Sequence, residues 1–192
     1  MRQLRTPLLF VCLALFLCGC VSRPVERQSL WNALSKGGYV LLMPPASAPD
    51  FEPRDRPATT HRCSERVALS EAGRDEALHL KRSLESYAVA AGRVLTGSDC
   101  RCVVTAGIVF GRAEPWSIID EADDNDARAR RGKNDALREA IARWNSADNL
   151  ALVTHRSHIR GALGVDVQPG QFLVIEPLGD TGYRLLGQLP GN

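Results

Sequence analysis

The chain has 192 residues, of which 44% are hydrophobic and 24% are charged. This balance is typical of a single folded domain and excludes disorder as the default state. Lysine and arginine number 24 against 22 aspartate and glutamate, so the charge gives no indication of a nucleic-acid partner.

The first 19 residues have the composition of an export signal. Arg2 and Arg5 precede the apolar run "LLFVCLALFL", which is shorter than the roughly 20 apolar residues of a permanent membrane span. The run ends in "LCGC", which resembles a bacterial lipobox. The resemblance implies a signal peptide over 1–19, a lipid on Cys20 and a tether over 20–28. The alternative is an ordinary secretory signal with a chance cysteine.

A lipid on Cys20 implies a protein held at the bacterial cell envelope and facing the periplasm, with the outer membrane favoured. The membrane would then be a partner through the lipid alone. Removal of Arg2 and Arg5 with the signal leaves as many basic as acidic residues in the mature chain, which again favours no nucleic-acid partner.

Residues 29–192 are predicted to form one domain. The segment "SLWNALSKGG" predicts a helix that is capped by Ser29 and ends at Gly37 and Gly38. The next segment, "YVLLM", shows no polar alternation and is typical of a central strand covered on both faces. Five prolines then mark residues 44–60 as a long irregular loop.

Helices and strands alternate over the rest of the chain. Ser70 is the predicted cap of the helix "EAGRDEALHLKRSLESY", and the stretch "DEADDNDARARRGK" is predicted to be an exposed face or loop. The remaining predicted strands are "RVLTGS", "NLALVTH", "QFLVIEP" and "GYRLLGQL"; the remaining helices are "DCRCVVTAGIVFG", "DALREAIARWN" and "SHIRGAL". This order favours a single α/β sandwich.

Three cysteines remain once the signal and Cys20 are set aside. Cys63 can pair with Cys100 or with Cys102 in an oxidising compartment, and the sequence does not choose between them. The Cys100-x-Cys102 pair has no second pair of ligands at metal-site spacing. We therefore expect neither a metal nor another cofactor.

Three segments at predicted strand ends or helix starts, "LSEAGRDEA", "SDCRCVVTA" and "LVTH", occur in the order found in the histidine phosphatase superfamily, also called phosphoglycerate mutase-like. The chain resembles small exported members of this superfamily over roughly residues 29 to 189. The resemblance implies a three-layer α/β sandwich with a mostly parallel central sheet. It also implies a phosphate pocket in which one histidine attacks phosphorus while two arginines and a second histidine bind the phosphoryl oxygens.

The pocket implied by the resemblance is incomplete. Arg101 matches the second arginine of the superfamily and His155 matches its second histidine. Pro44 stands where the superfamily has its first arginine, and Pro45 stands where it has the nucleophilic histidine. Proline has neither a side-chain nitrogen nor a backbone N–H. Alternatively, Arg101 lies on a helix surface and only pairs with Asp99 or another acid. His155 is then a histidine at a strand end that only makes an ordinary hydrogen bond.

Four further residues are candidates for roles in the pocket. Arg156 follows His155 and can return a guanidinium to the site. His158 is the candidate for a relocated nucleophile, although attack from a different strand end would come from a different direction. Glu114 and Glu121 are the only general-acid candidates by position, and neither is favoured.

Three functions follow from these residues. The favoured one is a catalytically inactive or severely impaired phosphatase-fold lipoprotein that binds a phosphorylated or other anionic small molecule through Arg101 and His155. The first alternative is an active phosphomonoesterase with a rearranged site. The second is an envelope interaction module without a ligand, whose protein partner the sequence does not indicate.

Overall fold

The computed structural model describes residues 26–49, 63, 68–120 and 126–190. Six strands form one sheet in the order β3-β2-β4-β1-β5-β6. Strands β1, β2, β3 and β4 run parallel to one another. At one side β5 pairs antiparallel with β1, and β6 pairs antiparallel with β5. The strands are β1 (Val40–Met43), β2 (Ala91–Thr96), β3 (Glu114–Pro115), β4 (Asn149–Val153), β5 (Gln171–Pro177) and β6 (Tyr183–Pro190).

The α-helices whose bounds lie in the described ranges connect and cover these strands. They are α1 (Arg27–Leu34), α2 (Glu71–Ser86), α3 (Cys100–Phe110), α4 (Ala127–Ala142) and α5 (Arg156–Leu163). Short 3₁₀ helices lie at Ser117–Ile119 and Gly179–Thr181. No helix in the described ranges is both long and apolar enough to cross a membrane.

Two apolar clusters lie on opposite faces of the sheet. Along β1, Leu41 and Met43 face a cluster with α1, α2 and α3. Val40 and Leu42 face a second cluster with α4 and α5. All four side chains are fully buried, as expected for a strand covered on both faces. The predicted three-layer α/β sandwich with a mostly parallel sheet is therefore confirmed.

The helix starts test the capping predictions. Ser70 has an extended backbone and its side chain accepts a hydrogen bond from the Gly73 N–H, so it caps α2 as predicted. Ser29 does not cap α1, which begins two residues earlier after Glu26. The Ser29 hydroxyl instead donates to the Glu26 carbonyl from inside the first turn. That prediction was wrong because a serine within a first turn resembles a cap in sequence.

The basic end of the charged stretch that leads into α4 agrees with the predicted exposed face. Asp126 accepts hydrogen bonds from the backbone N–H groups of Arg128 and Ala129, so α4 begins at Ala127. The basic half of "DEADDNDARARRGK" is thus the exposed first turns of a helix. The predicted signal peptide and Cys20 lie outside the described residues.

Candidate functional site

The carboxyl ends of three neighbouring parallel strands meet at one edge of the sheet. Met43 of β1 and Thr96 of β2 are both in register with Val153 of β4. The ladder continues one step further: the Thr154 N–H donates to the Met43 carbonyl at 3.1 Å, and the Gly97 N–H donates to the Val153 carbonyl at 2.9 Å. Ligand sites of open α/β sheets form at such an edge.

The β1 end carries the two prolines. Pro44 and Pro45 directly follow the strand, and both are buried. The first N–H after them belongs to Ala46 and donates to the buried Thr105 hydroxyl at 3.0 Å. This segment therefore offers neither a side-chain nitrogen nor a spare backbone donor to a ligand.

Ser47 fixes the loop that continues from the prolines. Its N–H and hydroxyl donate to the two carboxylate oxygens of Glu76 at 2.9 and 2.8 Å. Its carbonyl accepts from the N–H and the hydroxyl of Ser70. A Cβ at Gly73 would lie 2.0 Å from the same carbonyl oxygen. The "LSEAG" motif thus serves to clamp the post-β1 loop against α2.

The β2 end leads into the amino terminus of α3. Asp99 caps this helix, with its Oδ1 accepting from the Arg101 N–H at 2.8 Å. The same oxygen accepts from the Arg101 guanidinium Nε at 3.2 Å. Arg101 therefore makes the Asp99 pair considered as its alternative role. The pair stands beside the strand end where the pocket was predicted.

The β4 end brings His155 to the same place. His155 precedes α5, is half-buried and makes no capping hydrogen bond to that helix. Ligand atoms of His155, Asp99 and Cys102 all lie within 4.8 Å of one another. The structure thus brings the predicted anion-binding residues Arg101 and His155 to one site. Asp99 lies between them: it accepts a hydrogen bond from Arg101 and lies within 4.8 Å of His155.

Cys102 was not recognised as a member of this site. It is fully buried on the first turn of α3. A Cβ at Gly97, in the loop after β2, would lie 3.5 Å from the Cys102 sulfur. The available signal was the three-residue spacing from Asp99, which places both side chains on one helix face.

The two auxiliary candidates face other partners. Arg156 is exposed and its guanidinium contacts both carboxylate oxygens of Asp166 at 3.0 and 3.1 Å. His158 is 6% exposed, and its Nδ1 lies 3.1 Å from the Thr154 hydroxyl and 3.2 Å from the Ile119 carbonyl. Neither set of contacts involves the β1 end.

The protonation of His158 follows from these contacts. The Thr154 hydroxyl donates to the Ile119 carbonyl at 2.6 Å, so both oxygens beside Nδ1 can accept and Nδ1 carries the proton. Its Nε2 is buried with no hydrogen-bond partner among the described residues. Burial lowers the pKa of His158 because the imidazolium would lose its hydration there. His158 is a neutral core histidine.

The general-acid candidates gain no support. Glu114 is exposed on the edge strand β3 and accepts a hydrogen bond from the Arg93 guanidinium at 3.1 Å. That hydrogen bond lowers the pKa of the Glu114 carboxyl, which favours the ionised form over a proton donor. Glu121 lies outside the described residues.

A disulfide joins Cys63 to Cys100, with the Cα atoms 5.2 Å apart. The open choice of pairing is thereby resolved, and Cys102 takes no part in the bond. Because Cys100 is the first residue of α3, the disulfide fixes Cys63 at the amino terminus of the helix that carries Arg101.

Solved structures similar to this chain share its fold at low sequence identity. No protein-family model and no curated protein matches the chain. The putative phosphohistidine phosphatase SixA from Agrobacterium tumefaciens has a TM-score of 0.56 and 18% identity, covering 79% of this chain and 97% of its own. SixA complexed with tungstate has a TM-score of 0.55 and 14% identity, covering 80% and 97%.

A third similar structure is a phosphoserine phosphatase from Entamoeba histolytica. It is a mutant in which one histidine is replaced by alanine, in complex with phosphoserine. Its TM-score is 0.56 at 10% identity, and the match covers 78% of this chain and 95% of that one. These likenesses show that the chain has the phosphoglycerate mutase-like fold of these phosphatase structures.

Proposed function

We propose that this protein binds a phosphorylated or other anionic small molecule and does not transfer the phosphoryl group. The observation that carries the proposal is that three strand ends meet at one edge of the sheet and only two of them carry side chains that can bind an anion. Pro44 and Pro45 end β1, while Arg101 and His155 follow β2 and β4 at the same edge of the sheet.

The absence of turnover is argued from the chemistry of proline. A covalent phosphoryl intermediate requires a nucleophilic atom, and Pro45 supplies none. His158 is the remaining histidine near the β4 end, and it is buried in the core with its Nδ1 proton directed to Ile119 and Thr154. Loss of a nucleophile costs on the order of 10⁴–10⁶-fold in rate.

The groups that remain at the strand ends after β2 and β4 support anion binding. The amino terminus of α3 presents the positive end of the helix dipole, and Arg101 adds a planar guanidinium beside it. Loss of one charged hydrogen-bond partner costs on the order of 1.5–3 kcal/mol, which weakens an anion site without abolishing it. Two similar structures support this step, since one holds tungstate and the other holds phosphoserine although one of its histidines is replaced by alanine.

We also propose attachment to the cell envelope through a lipid on Cys20, facing the periplasm, with the outer membrane favoured. The support is the sequence "LCGC" and the Cys63–Cys100 disulfide, because disulfides form and persist in oxidising compartments. Release of the protein into the soluble fraction by Cys20→Ala would support the anchor, whereas an unchanged membrane fraction would count against it.

Anion binding is tested by the melting temperature of the full-length protein in detergent, with and without phosphate or tungstate. At a ligand concentration of 100 Kd the expected stabilisation is about 2.7 kcal/mol. Arg101→Ala should weaken binding roughly 10- to 150-fold, the equivalent of 1.5–3 kcal/mol. The matched control is Arg184→Ala, because Arg184 lies on β6, away from this edge, and pairs with Glu176 of β5. An equal response of both variants, or no response of the natural protein, contradicts the proposal.

Turnover is tested by phosphate release from p-nitrophenyl phosphate and phosphorylated metabolites, beside a Pro44→Arg, Pro45→His double variant. We expect a silent natural protein and a gain of activity in the double variant. Activity of the natural protein that His155→Ala or His158→Ala abolishes would establish the rearranged phosphomonoesterase instead. A protein that shows neither activity nor an anion response would favour the interaction module.

A further inference from the structure

We propose that Asp99, Cys102 and His155 form a binding site for a divalent cation of the zinc class, with one coordination position open to the pocket. The inference goes beyond the proposed function, because metal binding by these side chains needs no anion. It also departs from the sequence-based expectation of no metal, which considered only the spacing of Cys100 and Cys102.

The three side chains form a compact set of ligands from two elements. One ligand atom of each lies within 4.8 Å of the other two. Tetrahedral zinc with ordinary bond lengths holds its ligand atoms about 3.3–3.6 Å apart, so the side chains need to close by at most about 1.5 Å around an ion. The backbone is already in place, since β2 and β4 are paired in register up to Thr96 and Val153.

The chemistry of the set selects the metal. A thiolate, an imidazole and a carboxylate are all ligands that zinc accepts, whereas magnesium and calcium are held by oxygen alone. Zinc sites that bind water or a substrate have three protein ligands and leave the fourth coordination position open. Cys102 is available as a thiol because the disulfide uses Cys63 and Cys100.

Neighbouring groups hold two of the ligands in place. Asp99 Oδ1 accepts from both the N–H and the Nε of Arg101, which fixes the orientation of the carboxylate beside the other two ligands. The Cys102 sulfur packs beside Gly97, at the end of β2. Hydrogen bonds such as those that Arg101 donates to Asp99 orient metal ligands and raise affinity.

The charges explain why a cation fits a pocket that is expected to bind anions. Without metal, the Asp99 carboxylate offsets the Arg101 guanidinium beside it. With a divalent ion, the Asp99 carboxylate and the Cys102 thiolate neutralise the metal and Arg101 leaves one positive charge in excess. The metal thus supplies the positive charge that an arginine would give at Pro44, and its open position can take a phosphate oxygen.

The experiment uses full-length protein purified in detergent without a histidine tag. Zinc affinity is measured by competition with a chromophoric chelator, and Co²⁺ is added as a spectroscopic probe. We expect one equivalent of zinc and a thiolate-to-cobalt charge-transfer band in the near ultraviolet. Absence of zinc uptake, or cobalt binding without that band, would overturn the proposal.

Four variants locate the site. Cys102→Ser and His155→Ala should each lower zinc affinity by more than about 100-fold, since even an outer-layer partner is worth 10- to 100-fold. Asp99→Asn should lower it less and keeps the helix cap. His79→Ala is the matched control, because His79 is exposed on α2. Since Cys102 is buried, the half-buried His155 provides the variant that does not depend on repacking the core; zinc affinity that neither substitution changes would refute the site.

Addition of phosphate separates this inference from the proposed function. Zinc binding with no phosphate response in either the loaded or the EDTA-treated protein would support the metal site and contradict anion binding. A phosphate response in protein that takes up no zinc would overturn the metal site and leave anion binding standing. If both hold, zinc-loaded protein should bind phosphate more tightly than EDTA-treated protein.

Discussion

The loop after β1 and the loops after β2 and β4 line the same edge of the sheet, yet they differ in the polar and ionisable side chains that they bring to it. The β1 loop is tied down by Thr105, Glu76 and Ser70, but Pro44 and Pro45 give it no reactive group. Asp99 and His155 end the other two loops, and Arg101 and Cys102 follow Asp99 on the first turn of α3. Packing constrains the backbone of a strand end independently of its side-chain chemistry, so the β1 end is held in place although its prolines offer no polar side chain.

The largest expected effect tests the β1 scaffold at Gly73. Gly73→Ala would place a Cβ 2.0 Å from the Ser47 carbonyl oxygen, and backbone cannot yield as a flexible side chain can. We expect a loss of about 3 kcal/mol or more in the free energy of unfolding, at the upper end of overpacking effects. Urea denaturation of the full-length protein measures it.

Gly107→Ala is the matched control for this change. Gly107 also lies within a helix, but a Cβ there meets nothing within 4 Å. Because alanine favours the helix by up to about 1 kcal/mol over glycine, this variant should be unchanged or more stable. If both substitutions were equally harmless, the contact between α2 and the post-β1 loop would not be rigid. The claim that packing holds the β1 loop in place would then be wrong.

A smaller effect is expected where the proline segment meets α3. Thr105→Val conserves shape but leaves the buried Ala46 N–H without its acceptor. An unsatisfied buried donor costs about 1–3 kcal/mol, which should appear as a lower denaturation midpoint. Thr105→Ser keeps the hydroxyl and should retain more of the stability. A valine variant as stable as the serine variant would show that this hydrogen bond does not hold the β1 end.

Features that depend on neighbouring residues could be predicted from the sequence, whereas features that depend on strand pairing could not. Unbroken apolar runs identified β1 and β4, and the cap residue Ser70 located α2, because those signals are local. The strand β3 has two residues, Glu114 and Pro115, too few for any periodicity to show. Asp99 and His155 lie far apart along the chain and meet only through the pairing of β2 with β4, so their joint site with Cys102 could not be read from spacing.

The smallest effect concerns the pH dependence that His158 gives to stability. Its pKa is lowered by burial, so the unfolded chain, with an ordinary histidine pKa of about 6.5, takes up a proton before the folded protein does. His158 therefore leaves stability unchanged above that pH and reduces it progressively as the pH falls below about 6.5, down to its folded pKa. His158→Asn can keep a donor near Ile119 and should flatten the loss of stability between neutral and mildly acidic pH in urea titrations. His79→Asn, on the exposed face of α2, should leave that slope as it is. An unchanged slope in His158→Asn would show that folding does not lower the pKa of His158, which would contradict its place as a neutral histidine in the core.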